Sequence, residues 1–451
     1  MALSGADLEG NVRAMSPEAN VRELQRKIAE GSGNLEDYRQ LARTLFAAGR
    51  LDEATEIQSK ALDLPLSDVE RAGLIMEKAG GVFDWKEARS LAQAAINLLV
   101  GRQESPEVLV IRGLAYSVLA ERGHQVDPAG GREEASKALS WLEKAIATGD
   151  LDSDVPQLSA VFLQAATMHH ILDQSNQAIA YSQRALGLDA DNRIRLRCLM
   201  ALGRSLSASG RLADAERVLN EALQHPCNEL MLPTLHFEMG LVQRELKQLR
   251  QACESFRRAL SGIEMHPFLR RDDDLIRDIN AYLAAVSYEC GDYEEAAAAY
   301  SRVLRHCSKD DPRRPNYLLW LGCCELALAR LSEARDHLTQ VLNSPSTDEN
   351  ERQRANTALW DAHIRLAEAA RDASDAETAI REYEAALSFC EEGDPYRVDV
   401  LGWLAELYFR LGRYSEARSY YEQLLALPSL SPQKREAVAA RLRDLPKPPT
   451  H

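Results

Sequence analysis

One amphipathic sequence motif, called the phrase below, recurs along nearly the whole chain, and it limits the possible folds more than any other feature. A polar helix start is followed by alanine, by a large residue four positions later and by a small or β-branched residue three positions after that, as in GRLADAERVLNEAL from Gly210. Similarity at a period of 20 to 50 residues is typical of repeat architectures. The phrase occurs ten times, with its alanines at 54, 88, 138, 178, 215, 252, 296, 334, 379 and 417.

A second amphipathic stretch with a small central residue precedes each phrase. Examples are LRCLMALGRSLSASG, centred on Gly203, and VLGWLAELYFRLG, centred on Ala405. The apolar positions fall at i, i+3, i+4 and i+7, which predicts a helical stripe. Small residues where two stripes meet allow antiparallel helices to approach closely. Each unit is therefore predicted to be a helical hairpin whose apolar face is buried only by stacking on its neighbours.

The pattern resembles the tetratricopeptide repeat (TPR), and about ten units span residues 35 to 430. In that family helix A carries an aromatic residue or Leu, then Leu–Gly/Ala, then Tyr or Leu, and helix B carries Ala, an aromatic residue and Ala, with Pro near its end. Several units here are longer than the 34-residue period of the family. The best-matching residues are Tyr38, Leu41, Ala42, Leu45, Gly49, Ala54, Ala61 and Pro65 in the first unit and Leu401, Leu404, Ala405, Tyr408, Gly412, Ala417, Tyr421, Leu424 and Pro428 in the tenth.

The resemblance implies an all-α fold, a right-handed superhelical solenoid of stacked antiparallel helix pairs. We expect a tail and capping helix over 1–33, the repeat array over 34–430, and a capping helix with a frayed tail over 431–451. Pro17 and Pro432, each preceded by Ser, mark the starts of the two capping helices. Residues 122–132, which contain Asp-Pro and Gly-Gly, are predicted to be an inserted loop.

Composition excludes several classes of function. Asp and Glu outnumber Lys and Arg by 69 to 54, so the net charge of −15 argues against nucleic acid as a partner. The longest uncharged run, residues 155–172, is too polar to insert into a membrane. Residues 1–12 contain neither a basic region nor an apolar core, so no secretory signal is expected, and the eight cysteines form no C-x-x-C pair. We therefore expect a cytoplasmic protein with reduced thiols.

The motifs that would carry chemistry are missing or weak. Neither a Walker phosphate-binding loop nor H-E-x-x-H occurs. The pairs His169-His170 and Cys323-Cys324 lie on predicted helices, where adjacent side chains diverge by about 100°, so metal binding is not expected. Residues 272–274 (Asp-Asp-Asp) are better explained as a solvated helix start. We expect no enzymatic activity, no metal and no cofactor.

The resemblance also implies a binding surface, because positions 2, 5, 9 and 12 of helix A line the concave groove of TPR arrays. An apolar band flanked by arginines suggests that a peptide or helix of another protein is bound there. Chaperone-binding TPRs carry Lys at position 5 and Asn at position 9, and no unit has that pair. The alternative is that these side chains pack against the next repeat or a terminal helix. The predicted partner-binding residues are Arg39, Arg43, Leu163, His170, Met200, Arg204, Phe237, Leu241, Arg244, Tyr288, Leu319 and Leu326.

The function predicted from these features is a non-catalytic scaffold or adaptor that binds another protein. One alternative is a regulator that senses a peptide and changes the activity of a partner. Another is a structural subunit of a large transport, secretion or ciliary assembly. The sequence does not identify the partner.

Overall fold

Helices are the only regular elements in the described part of the chain. The computed structural model describes residues 17–80, 84–124, 127–151, 155–188, 192–225, 229–266, 269–271, 273–390 and 394–446. Two short 3₁₀ helices, Glu229–Met231 and Leu269–Arg271, accompany the α-helices. The α-helices are α1 (Pro17–Ala29), α2 (Leu35–Ala47), α3 (Leu51–Ala61), α4 (Asp68–Ala79), α5 (Trp85–Leu98), α6 (Pro106–His124), α7 (Pro128–Ala147), α8 (Val155–Ile171), α9 (Ser175–Leu186), α10 (Asn192–Ala208), α11 (Leu212–Gln224), α12 (Leu232–Glu245), α13 (Leu249–Met265), α14 (Asp273–Glu289), α15 (Tyr293–Arg305), α16 (Arg314–Ala327), α17 (Leu331–Asn343), α18 (Glu349–Asp372), α19 (Ala376–Leu387), α20 (Pro395–Arg410), α21 (Tyr414–Ala426) and α22 (Pro432–Asp444). The predicted all-α class is confirmed.

The described residues form two compact units. The N-terminal unit comprises those up to Gln248 together with Arg258 to Arg271, and the C-terminal unit comprises Leu249–Arg257 and the residues from Asp273 onward. In each unit consecutive helices pack as pairs, α2/α3 to α10/α11 in the first and α14/α15 to α20/α21 in the second. We call the first helix of each pair helix A and the second helix B. Helices A also contact each other in series, α4 with α6, α6 with α8, α8 with α10 and α10 with α12.

The same tight turn joins helix A to helix B in eight of the repeats. In the first repeat Gly49 has φ of 74°, its N–H donates to the Phe46 carbonyl at 3.0 Å, and the Arg50 N–H donates to the Leu45 carbonyl at 2.9 Å. This is the Schellman arrangement, in which a left-handed residue ends the helix and satisfies its last carbonyls. We call the left-handed residue the turn residue. The turn residues are Gly49, Asp173, Gly210, Lys247, Gly291, Ala329, Ser374 and Gly412.

The recurrent alanines of helix B lie in the core, as the repeat pattern predicts. All ten are at most 1% exposed. Small residues on helix A lie directly against helix B: a Cβ added at Gly203 would lie 2.7 Å from the Leu219 side chain. The predicted close approach of the paired helices is therefore confirmed.

Helix α1 precedes the first helix pair and α22 follows the last one. Val21 and Leu24 of α1 are buried in a cluster with Leu41 and Leu45 of α2. At the other end the Ser431 hydroxyl accepts a hydrogen bond from the Lys434 N–H, which caps α22. Val438 and Leu442 of α22 pack against the cores of α18 to α21. Among the described residues no helix has the length and apolar character needed to cross a membrane.

The predicted loop over residues 122–132 is wrong in most of its length. Helix α6 continues to His124 and α7 begins at Pro128, while residues 125–126 lie outside the described part. Asp127 caps α7 by accepting from the Ala129 N–H at 3.2 Å, and Pro128 occupies the first helical position. These are strong helix-start signals, and they outweigh the glycines that follow within the first turn.

Candidate functional site

The turn residue gives eight of the repeats a common reference point, and the predicted binding residues share fixed distances from it. Each stands ten, six or three residues before a turn residue, as Arg39 and Arg43 do before Gly49. Equal offsets place these residues on equivalent faces of successive helices A. Because helices A of the N-terminal unit pack in series, these faces adjoin one another from repeat to repeat.

A cavity of about 280 Å³ lies on this face of α8 and α10; we call it the α8/α10 pocket. The buried side chains of Leu163 and Met200 form part of its floor. Both residues were predicted from sequence to bind a partner. The pocket is lined by Glu121, Leu163, Gln164, Thr167, Arg197, Met200, Ala201, Arg204, Leu230, Met231 and Thr234.

An ion pair sits at the edge of the α8/α10 pocket. The Arg204 Nε donates to Oε1 of Glu238 on α12 at 2.9 Å, and Glu238 is only 8% exposed. On the other side Gln164 donates to the carboxylate of Glu121. Arg204, predicted to contact a partner, therefore has a structural role in joining α10 to α12.

A second cavity, of about 480 Å³, lies on the same face of α2, α4 and α6; we call it the α4/α6 pocket. Its apolar part is formed by side chains such as Met76 and Val110, which are 8% and 4% exposed. Gly73 lies in its wall. The pocket is lined by Arg39, Arg43, Val69, Glu70, Gly73, Met76, Glu77, Glu107, Val110, Ile111, Leu114 and Gln157.

Both predicted arginines of this pocket are paired with carboxylates. The Arg39 Nε lies 3.0 Å from Oε1 of Glu77 on α4, and the Arg43 Nη1 lies 3.4 Å from Oε1 of Glu36 on α2. Burial raises the pKa of Glu77, and the charges of Arg39 and Arg43 oppose that shift. The two guanidiniums are therefore partly neutralised before any ligand binds.

The remaining predicted residues differ in their accessibility. Leu319 is fully buried and Leu326 is 8% exposed, and both belong to the core around α16 and α17. These two side chains hold the repeat together and present little surface to a partner. Phe237, Leu241, Arg244 and His170 are half-buried on their helices A. Tyr288, also half-buried, makes an edge-to-face contact with Trp320 at 5.0 Å between ring centroids.

The polar pairs considered for chemistry have ordinary structural environments. The His169 Nδ1 lies 2.6 Å from the Gln174 Oε1, across the turn that contains Asp173. Cys324 is buried, and burial raises the pKa of its thiol to about 12. Asp272 lies outside the described residues. In the part of the chain that the structure covers, no group of three or more His, Cys, Asp or Glu residues is arranged to hold a metal ion.

Comparison with protein families agrees with the repeat pattern. Two tetratricopeptide repeat models match the chain, one over residues 280–348 and the other over residues 356–428. The chain is a tetratricopeptide repeat protein. Members of the family are typically non-catalytic modules that bind other proteins. No curated protein matches this TPR chain in sequence.

Several solved structures resemble this TPR protein at low sequence identity. The Rap protein complexed with competence and sporulation factor is 15% identical with a TM-score of 0.48, covering 93% of this chain and 99% of its own. The human IFIT1 dimer with m7Gppp-AAAA is 16% identical with a TM-score of 0.41, covering 92% and 95%. Yeast Tom70 is 13% identical with a TM-score of 0.37, covering 95% and 93%. Similarity at this level does not extend to ligands or activity.

The α4/α6 pocket was not anticipated from the TPR pattern. It depends on repeats two and three, whose alanines are separated by 50 residues and in which no glycine stands five residues before the alanine, as Gly210 does before Ala215. Without that reference the helix A positions could not be assigned. The available signal was the pair of glutamates Glu70 and Glu77, spaced by two helical turns on one face of α4.

Proposed function

We propose that this TPR protein is an interaction scaffold that holds a segment of a partner protein along helices A of its N-terminal unit. The observation that carries the proposal is the pair of pockets on one continuous row of helices, from α2 to α12. Each pocket combines an apolar floor with polar side chains at its edge, which is the usual composition of a ligand site. The partner and the binding mode are inferred from this surface alone.

The dimensions of the row suit a peptide segment. Neighbouring packed helices are about 8–10 Å apart, so pockets centred two helices apart are separated by roughly 20 Å. An extended chain covers that distance with about six residues. One side chain of the segment would enter the α4/α6 pocket and another the α8/α10 pocket, while backbone and flanking residues would contact Thr167 and Arg197.

An acidic C-terminal tail is a poor ligand for this surface. Arg39 and Arg43 are the nearest match to the basic clamp of chaperone-binding TPRs, and both are already paired with glutamates. Binding a carboxylate there would require breaking those pairs. Apolar side chains are therefore expected to supply most of the affinity.

The proposal is tested by selecting peptides from a displayed random library on the full-length protein. Substitutions that fill the pockets, Gly73→Phe in the α4/α6 pocket and Thr167→Trp in the α8/α10 pocket, should each abolish binding of the selected peptides. The exposed Ala213 on helix B α11 provides the control, because Ala213→Phe adds the same bulk away from helices A. If the selected peptides bind all three variants as they bind the unmodified protein, the proposal is wrong.

A further inference from the structure

The edge of the α4/α6 pocket carries more negative than positive charge. Glu70, Glu77 and Glu107 line the pocket, and Glu36 adjoins it through Arg43. The positive charges of the site are those of Arg39 and Arg43. Four carboxylates against two guanidiniums leave an excess of two negative charges around an apolar cavity.

The pairing of these groups shows where the excess lies. Arg39 pairs with Glu77 and Arg43 with Glu36, so the unmatched carboxylates are those of Glu70 and Glu107. Both residues are exposed, one near the start of α4 and the other near the start of α6. The Glu70 carboxylate accepts hydrogen bonds from the hydroxyl and N–H of Ser67, at 2.7 and 2.9 Å, which holds it in place.

The other pocket differs in its charge. The polar groups around the α8/α10 pocket include Arg197 and Arg204 as cations and Glu121 as an anion, and the adjoining Glu238 neutralises Arg204. Two positive and two negative charges leave that site balanced. The negative excess therefore belongs to one end of the row of helices A.

From this asymmetry we infer that the bound segment carries an apolar side chain flanked by lysine or arginine, and that the basic flank lies at the α4/α6 end. The inference rests on the proposed function and adds the chemistry of the partner. The apolar side chain fills the cavity between Met76 and Ile111, and the basic residues contact Glu70 and Glu107. The same charges repel acidic peptides and the phosphates of nucleic acids.

The experiment uses a positional-scanning library of fluorescent peptides with a fixed central leucine, bound to the full-length protein. Lysine and arginine should be enriched on one side of the leucine only. The double variant Glu70→Gln/Glu107→Gln should then bind a lysine-flanked leucine peptide about 5-fold more weakly at low salt, which corresponds to about 1 kcal/mol for the two exposed ion pairs together. At about 1 M salt the difference should fall below about 2-fold, because the Debye length shrinks to about 3 Å.

The control variant Glu133→Gln/Glu422→Gln removes the same formal charge from exposed positions of helices B α7 and α21. It should leave the affinity within about 2-fold of that of the unmodified protein. Equal weakening in both double variants would overturn the inference, because it would reflect net charge alone.

The outcomes separate this inference from the proposed function. If leucine peptides bind and Gly73→Phe blocks them, but basic residues are not enriched, the proposed function is supported and the inferred basic flank is wrong. Enrichment of acidic residues would likewise overturn the inference. If no leucine peptide binds, or if Gly73→Phe has no effect on binding, both fail.

Discussion

Gly322 of α16 lies so close to Leu338 of α17 that a Cβ at position 322 would be 2.7 Å from the Leu338 Cγ. The Ala334 carbonyl oxygen would be 3.4 Å from that added Cβ. The backbones of helix A and helix B therefore pack directly on each other at this crossing. Gly203 has the same relationship to Leu219 in the N-terminal unit.

Gly322→Ala is therefore expected to destabilise the C-terminal unit by about 1–3 kcal/mol, although alanine is the better helix former, because the core must yield to the added methyl. Gly73→Ala is the matched contrast. Its Cβ would meet Ile111 at 3.5 Å and Arg39 at 3.6 Å, which are ordinary contacts, so the gain of about 0.5–1 kcal/mol in helix propensity should remain. Urea unfolding of both variants measures the two changes in the free energy of unfolding, which should have opposite signs. Destabilisation by Gly73→Ala would contradict the packing described around Gly73.

Two substitutions at turn residues should have opposite effects on the free energy of unfolding. Ala329 adopts φ of 58° and Gly412 adopts φ of 74° at equivalent turns. A left-handed conformation costs a residue with a Cβ about 1 kcal/mol relative to glycine. Ala329→Gly should therefore raise the free energy of unfolding by about that amount, and Gly412→Ala should lower it similarly. Hydrogen exchange of the amides that flank each turn gives the local measurement, and effects of the same sign in both variants would be inconsistent with the turn geometry.

Arg204→Ala should destabilise the N-terminal unit by about 2 kcal/mol, because it leaves the 8%-exposed Glu238 carboxylate without its partner. Replacing both residues, as Arg204→Met with Glu238→Leu, should restore most of the loss, since no buried charge then remains. Thermal unfolding of the single and double variants measures the difference. A single variant as stable as the unmodified protein would show that Arg204 does not offset the buried charge.

His337 and Glu325 predict a pH dependence of the C-terminal unit. The His337 Nδ1 lies 2.8 Å from the Glu325 Oε2, and this hydrogen bond raises the pKa of His337 above its ordinary value of 6.5, against the opposing effect of burial. The folded state thus binds the proton more tightly than the unfolded state. The stabilisation is complete below pH 6.5 and is lost as the pH rises through the folded-state pKa.

Stability of the C-terminal unit should therefore fall as the pH rises above 6.5, and the part due to this pair should vanish in Glu325→Gln. His337→Gln should flatten the profile in the same way, because it removes the titrating group. If the dependence of stability on pH keeps its full slope in both variants, the His337–Glu325 pair is not its cause.

The sequence predicted the repeat hairpins because their signals are local. The buried alanines, the small residues of helix A and the turn glycines each recur at a fixed spacing that a single sequence displays. The turns at Asp173, Lys247 and Ser374 contain no glycine, yet the repeated phrases beside them still predicted helical hairpins there. The helix cap at Ser431 was visible for the same reason.

The site was only partly predictable, because it depends on contacts between repeats. Burial of Leu319 and Leu326 follows from how α16 packs on its neighbours, and the pairing of Arg39 with Glu77 requires α2 and α4 to lie side by side. Neither fact is contained in the pattern of one helix. The carboxylates that line the α4/α6 pocket were not predicted either, because they lie in the irregular second and third repeats, where helix A positions could not be assigned.

Photo-cross-linking with a selected peptide is the most direct test of the central claim that helices A of the N-terminal unit bind a partner segment. The peptide would carry a benzophenone in place of its central apolar residue, and mass spectrometry would locate the modified residues on the full-length protein. Labels are expected on pocket residues such as Met76, Ile111 and Met200. Labels confined to helices B or to the C-terminal unit would contradict it.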